Sequence, residues 1–186
     1  MIMPTPRYAV VAYLRNSVGE FVEHLRTQLH PDLPHLPAHV TLLPPRCLAD
    51  SEAAAQAMLE RICALEESFQ ISLGDVETFV PATPTVFVRV TRGAYRLREL
   101  HDKLNTGPLA FKEEFPYMPH LTIVKMSNPA QAEQTYMAAR QRWEQYTGPR
   151  RIGIGQMTFV REQEPYQWID LAEFSLGRRS ASAKGR

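Results

Sequence analysis

The chain has little cysteine, little net charge and no long apolar run, and each shortage excludes a class of protein. Its two cysteines, Cys47 and Cys63, form neither a CxxC pair nor a zinc-ligand spacing, so both read as reduced, partly buried thiols. The formal net charge of +1 supplies no global field toward nucleic acid or membrane, so a polyanion must be gripped by a local patch. No apolar stretch approaches the roughly 20 residues of a membrane helix. The run from Tyr8 to Leu14 is followed by Arg15-Asn16 without a small-residue cleavage site. No signal peptide is therefore expected, and a reducing cytoplasm is the expected compartment. Glycine is sparse, at nine residues, and nowhere forms a phosphate-cradling loop or a nucleophile elbow.

The 186 residues suit one domain, and a composition of 44 % hydrophobic and 22 % charged residues is that of a globular protein with a sizeable core. The 15 prolines fall between periodic segments and punctuate them. Tyr8–Leu14 reads as a buried strand. Ser17-Val18-Gly19-Glu20 reads as a capping box opening a helix with Val18, Phe21, Val22, Leu25 and Leu29 on one face. His39–Leu43 is a strand closed by Pro44-Pro45, and Asp50 or Ser51 caps a second helix. Residues 69–80 are extended, with a bulge at Gly74. The order then restarts: a strand at Thr85–Thr91, a helix at Ala94–Leu104, a loop, and a strand at His120–Lys125. Asn128-Pro129-Ala130-Gln131 opens a fourth helix, and Gly148-Pro149 stops it. Arg151–Arg161 and Tyr166–Leu176 read as a hairpin. The tail 177–186, with Arg178, Arg179, Lys184 and Arg186, reads as a disordered basic end.

One short pattern occurs twice. Pro37-Ala38-His39-Val40-Thr41-Leu42 and Met118-Pro119-His120-Leu121-Thr122-Ile123 each place His-x-Thr in an apolar run. Alternation along a strand points His and Thr to one face and Val40, Leu42, Leu121 and Ile123 to the other. The copies lie about 80 residues apart, each in the third element of a strand-helix-strand-helix-strand order. Two lobes, roughly 1–80 and 81–176 and with strands possibly exchanged, would form a single domain over 1–176. An approximate two-fold would bring the repeated strands face to face across a groove. None of the other four histidines has Thr two positions on, and the spacing of His24, His30, His35 and His39 matches no metal site. Two imidazoles that titrate near neutrality supply a general base and a general acid, and two hydroxyls donate to phosphate oxygens. That chemistry cleaves a phosphodiester without calling for a metal or cofactor.

The motifs HVTLL and HLTIVK, with their spacing and element order, resemble the 2H phosphoesterase superfamily, and most nearly its bacterial 2',5'-RNA ligase and RNA 2',3'-cyclic phosphodiesterase group. The resemblance spans Tyr8 to about Leu176. It implies a bilobal α/β fold of two antiparallel-rich sheets with outer helices around a central groove, and it implies that His39, Thr41, His120 and Thr122 carry catalysis. It also implies opening of RNA or nucleoside 2',3'-cyclic phosphates to 2'-phosphates. The alternatives are a 2',5'-RNA ligase, a hydrolase of 2',5'-oligonucleotides or other cyclic phosphates, or a binding module without turnover. RNA ends or small nucleotides are the implied partners, with no membrane and no obligate protein partner. Lys125 stands where many members carry Arg; it either neutralises a phosphate or is a solvated strand end. Arg46 either guards the groove mouth or is an exposed loop residue. Phe87 and Arg89 share the face opposite Val86, Val88 and Val90, where Phe87 either stacks on a base or closes the core. Tyr117 either flanks a base or sugar or packs on the second lobe.

Overall fold

Strands form where apolar residues alternate and helices where they recur every three or four positions. A computed structural model describes residues 5–177 of the chain. In chain order the elements are β1 (Tyr8–Tyr13), α1 (Ser17–Leu29), β2 (His39–Arg46), α2 (Glu52–Leu65), β3 (Phe69–Thr78), β4 (Thr85–Val90), α3 (Ala94–Leu104), β5 (His120–Lys125), α4 (Pro129–Glu144), β6 (Arg151–Ile154), β7 (Gln156–Glu164) and β8 (Gln167–Ser175). A 3-10 turn at Gly107–Leu109 interrupts the long loop before β5. The basic tail expected at 177–186 lies, apart from Gly177, outside the described residues.

The mixed α/β architecture with outer helices is the expected one. Its strands pair antiparallel in the order β6-β3-β4-β5-β2-β1-β7-β8. The two sheets are thus two four-stranded halves joined edge to edge through β2 and β5, at a seam whose register holds the single pair Val40 and Leu121. A cut of the chain near residue 80 does not separate these halves. β3 crosses to pair with β4, and β7 and β8 return to β1. The expected long hairpin strand from Arg151 is likewise divided at Gly155, because β6 pairs with β3 while β7 pairs with β1.

All four helices cover one face. Val18, Val22 and Leu25 of α1, Met58 and Leu59 of α2, Leu97, Leu100 and Leu104 of α3, and Ala132, Ala139 and Trp143 of α4 share one core with the inward residues of the strands. Each seam strand is covered from the other half: α1, which joins β1 to β2, packs on β5, and α3, which joins β4 to β5, packs on β2. The Trp143 indole N–H donates to the Gly74 carbonyl at 2.8 Å, at the shift in register between Leu73 and Val76. Cys63 is buried against Met157, where burial pushes its thiol up to about 12; Cys47 is exposed.

Local chemistry sets the boundaries. Asn16, one residue before the expected capping box, caps α1: its side chain accepts from Gly19 N–H at 3.1 Å. Ser51 and Asn128 cap α2 and α4 in the same way. Gly93 opens α3 with φ of 78°, and a Cβ there would lie 2.5 Å from the Gln70 carbonyl oxygen, so only glycine fits. β2 runs on through Pro44 and Pro45 to Arg46. Its ladder with β1 is irregular beyond Leu43, and its pairing with β5 is confined to Val40, so the missing N–H groups cost little there.

Candidate functional site

The face opposite the helices carries the two His-x-Thr motifs at the seam. Continued in the antiparallel sense, the Val40–Leu121 pair sets His39 opposite Thr122 and Thr41 opposite His120. Each imidazole therefore faces the hydroxyl residue of the other motif. Register on both sides extends this into two rows across four strands. One reads Arg89, His120, Thr41, Val11 and the other Phe87, Thr122, His39, Tyr13. Directly opposed Cβ atoms stand about 4.5–5.5 Å apart and diagonal neighbours about 7–8 Å, so the two rings are within reach of one small anion.

The imidazoles are fixed alike. His39 Nδ1 lies 2.7 Å from the Pro37 carbonyl and His120 Nδ1 2.7 Å from the Met118 carbonyl. A carbonyl only accepts, so Nδ1 carries the hydrogen in both rings and Nε2 is left to exchange protons. Among the described residues no hydrogen bond engages either Nε2 or the hydroxyls of Thr41 and Thr122. Burial holds both histidines below the usual value of 6.5, and the backbone bond opposes it only in part. His39 is lowered further by the positive charges of Arg26 and of His120.

Their walls differ. His39 meets the edge of Tyr13 at 6.3 Å, and the Tyr13 hydroxyl donates to Asp170 at 2.6 Å. His120 is met edge-on by Phe79 at 4.9 Å and Phe87 at 5.2 Å, and these two rings stack at 4.0 Å. Phe87 is buried beneath Phe79, so of its two readings the base-stacking one is corrected and the core-closing one stands: it backs His120, and Phe79 is the outer ring.

Arg89 stands exposed beside His120 and donates to Glu77 at 3.2 Å. A shift in register between Val86 and Phe87 puts Val124 into the core and pairs Lys125 with Thr85, which returns the exposed Lys125 to the site-bearing face. Arg46 does not reach the groove mouth. It is buried, with its donors committed to the carbonyls of Pro44 and Leu109, to Asn105 and to Glu113, because the loop before β5 folds back over it. Tyr117 is half-buried; its hydroxyl donates to the Thr41 carbonyl at 2.8 Å and its ring stacks on His101 at 4.1 Å. Burial raises the pKa of that hydroxyl, and the bond to Thr41 braces β2 from behind.

Three residues escaped the sequence reading. Tyr13 was findable as the aromatic at the end of β1, which pairs with β2, and Phe79 as an aromatic just beyond β3, two strands from β5. Arg26 gave no signal, being one polar residue on an amphipathic helix. Among the described residues no cluster of three or more His, Cys, Asp or Glu is gathered for a metal ion, and no helix is long and apolar enough to cross a membrane.

The fold is similar to that of E. coli LigT, with a TM-score of 0.64 at 17 % identity over 93 % of this chain and 99 % of that one. LigT complexed with 3'-AMP aligns with a TM-score of 0.63 at 18 % identity over 94 % and 99 % of the two chains. In sequence, the chain is 28 % identical over 121 residues, 64 % of its length and 70 % of the relative's, to an Oceanobacillus iheyensis protein named "Putative phosphoesterase OB1230". The model of the 2'-5' RNA ligase superfamily matches residues 14–164, and the chain belongs to that family.

Proposed function

We propose that the protein is a phosphodiesterase that opens 2',3'-cyclic phosphates, on RNA ends or nucleosides, to 2'-phosphates. Membership of the family supports phosphoester chemistry. The observation that carries the finer reading is the seam pair Val40–Leu121, whose antiparallel continuation sets each imidazole, its Nδ1 fixed alike, opposite the threonine of the other motif. LigT, whose fold this chain resembles, has been crystallised with 3'-AMP and with phosphate, ligands of the same chemical class.

The chemistry balances with these groups alone. A neutral imidazole Nε2 takes a proton from water as the water oxygen bonds to phosphorus. The bond from phosphorus to the ribose 3' oxygen breaks, and the other imidazole, protonated, gives its proton to that oxygen. A 2'-phosphate remains. The hydroxyls of Thr41 and Thr122 donate to the non-bridging oxygens as charge builds on them. Arg89 and Lys125, on the same face, add positive charge at its margin.

The test is the conversion of adenosine 2',3'-cyclic phosphate and of an oligoribonucleotide ending in a cyclic phosphate, with excess chelator present. Formation of the 2'-phosphate product is expected in both. Failure on both substrates, or activity only on adding back a metal, would overturn the reading.

A further inference from the structure

Arg26 is an anomaly of packing. It is 8 % exposed, yet none of its hydrogen bonds goes to a carboxylate. Its guanidinium donates to three backbone carbonyls: Ile123 at 2.7 Å, Thr122 at 3.0 Å, and Leu36. Burying a cation whose nearest anion, Glu23, makes no direct contact with it is costly, and a neutral residue would satisfy packing alone at lower cost. The position of the three carbonyls explains the choice. Thr122 and Ile123 lie on β5 just past the single seam pair, and Leu36 lies on the approach to β2. One turn earlier on α1, the Glu23 carboxylate accepts from the N–H of Ala38, the residue before His39, at 2.8 Å. Glu23 and Arg26 thus grip the backbones leading into and along the two motifs from one helix.

We propose that Arg26 is a positioning residue: it replaces the ladder bonds missing at the β2–β5 seam and so holds His39 and His120 at working separation. The catalytic consequence rests on the two-histidine reading. Its charge has a second effect. The titratable groups about His39 are Tyr13 from β1 with Asp170 of β8 bonded to it, His120 from β5 and, across the sheet on α1, Arg26 and Glu23. Of these, Arg26 stays positive throughout the neutral range, so it disfavours protonation of His39 and leaves that ring as the base. His120 is walled by Phe79 and Phe87, and the one cation beside it, Arg89, is solvent-exposed and paired with Glu77, which leaves this ring as the acid.

Two variants separate the two roles. Arg26→Gln removes the charge and most of the bonds. On adenosine 2',3'-cyclic phosphate its kcat falls about ten- to a hundredfold with KM changed less than about threefold, the signature of misplaced catalytic groups. The acid limb of kcat/KM also moves to higher pH. Arg26→Lys keeps the charge but not the fork: the limb stays in place and kcat falls by less. Wild-type kcat and limb in folded Arg26→Gln would overturn the proposal. Should Arg26→Gln fail to fold, Arg26→Lys decides, since reduced kcat at unchanged KM upholds the positioning role and wild-type kcat ends it. Titration of the His39 ring by NMR needs no turnover and separates this inference from the proposed reaction. His39 titrates at higher pH in Arg26→Gln than in the wild type, whatever the substrate, and an unchanged titration contradicts the account.

Discussion

The two sides of the seam carry the same motif in different settings. On both, a strand ends its approach by bending the imidazole Nδ1–H back onto a carbonyl two residues earlier, at 2.7 Å in each case. On both, the carbonyl of the motif threonine accepts from a side chain outside its own strand, Tyr117 for Thr41 and Arg26 for Thr122. The difference lies in what surrounds the rings. His39 has a tyrosine tied to Asp170 at its edge and a buried arginine within electrostatic reach. His120 has two phenylalanines, and the cation beside it, Arg89, is exposed and paired with Glu77. A repeated motif delivers equal geometry; in the proposed reaction, unequal neighbours are what set one ring as base and the other as acid.

The comparison breaks most sharply at the imidazoles. His39→Ala and His120→Ala each lower kcat/KM by about 10³-fold or more, measured on a purified cyclic nucleotide, since each removes one proton transfer. A variant that kept wild-type activity would show that its side of the seam is idle. The threonines come next. Thr41→Ala and Thr122→Ala each lose about 10²-fold, mostly in kcat, as expected for loss of one donor to a charge-bearing oxygen. Unequal losses would show that the phosphate sits nearer one motif. The smallest effect sharpens the contrast between the walls. Phe79→Ala relieves the burial that holds His120 below its usual value, so the alkaline limb of the rate profile moves up by less than about one pH unit while the acid limb stays. Movement of the acid limb instead would reverse the assignment of acid and base.

The motif strands, α3 and the caps of α2 and α4 were legible because each rests on local chemistry: alternation, a helical stripe, a side chain accepting from a backbone N–H two or three residues on. What stayed illegible depends on tertiary placement. Pro44-Pro45 reads as a strand stop, yet β2 continues where little ladder is asked of it. Arg46 reads as a surface cation at a loop, and the fold buries it against Glu113, 67 residues away. Arg26 reads as one more polar residue of an amphipathic helix, and its meaning comes from the gap between β2 and β5. Alternation along β4 places Phe87 on the correct face; its depth depends on Phe79, a residue beyond the end of β3.

The central claim is that His39 and His120 act as a pair on one phosphorus atom, and the pH dependence of kcat/KM for adenosine 2',3'-cyclic phosphate tests it most directly. Because both rings are held below 6.5, the wild type gives a bell whose maximum lies on the acid side of that value. The residual activity of His39→Ala loses the acid limb, and that of His120→Ala loses the alkaline limb. A bell that survives unchanged in either variant would contradict the pairing.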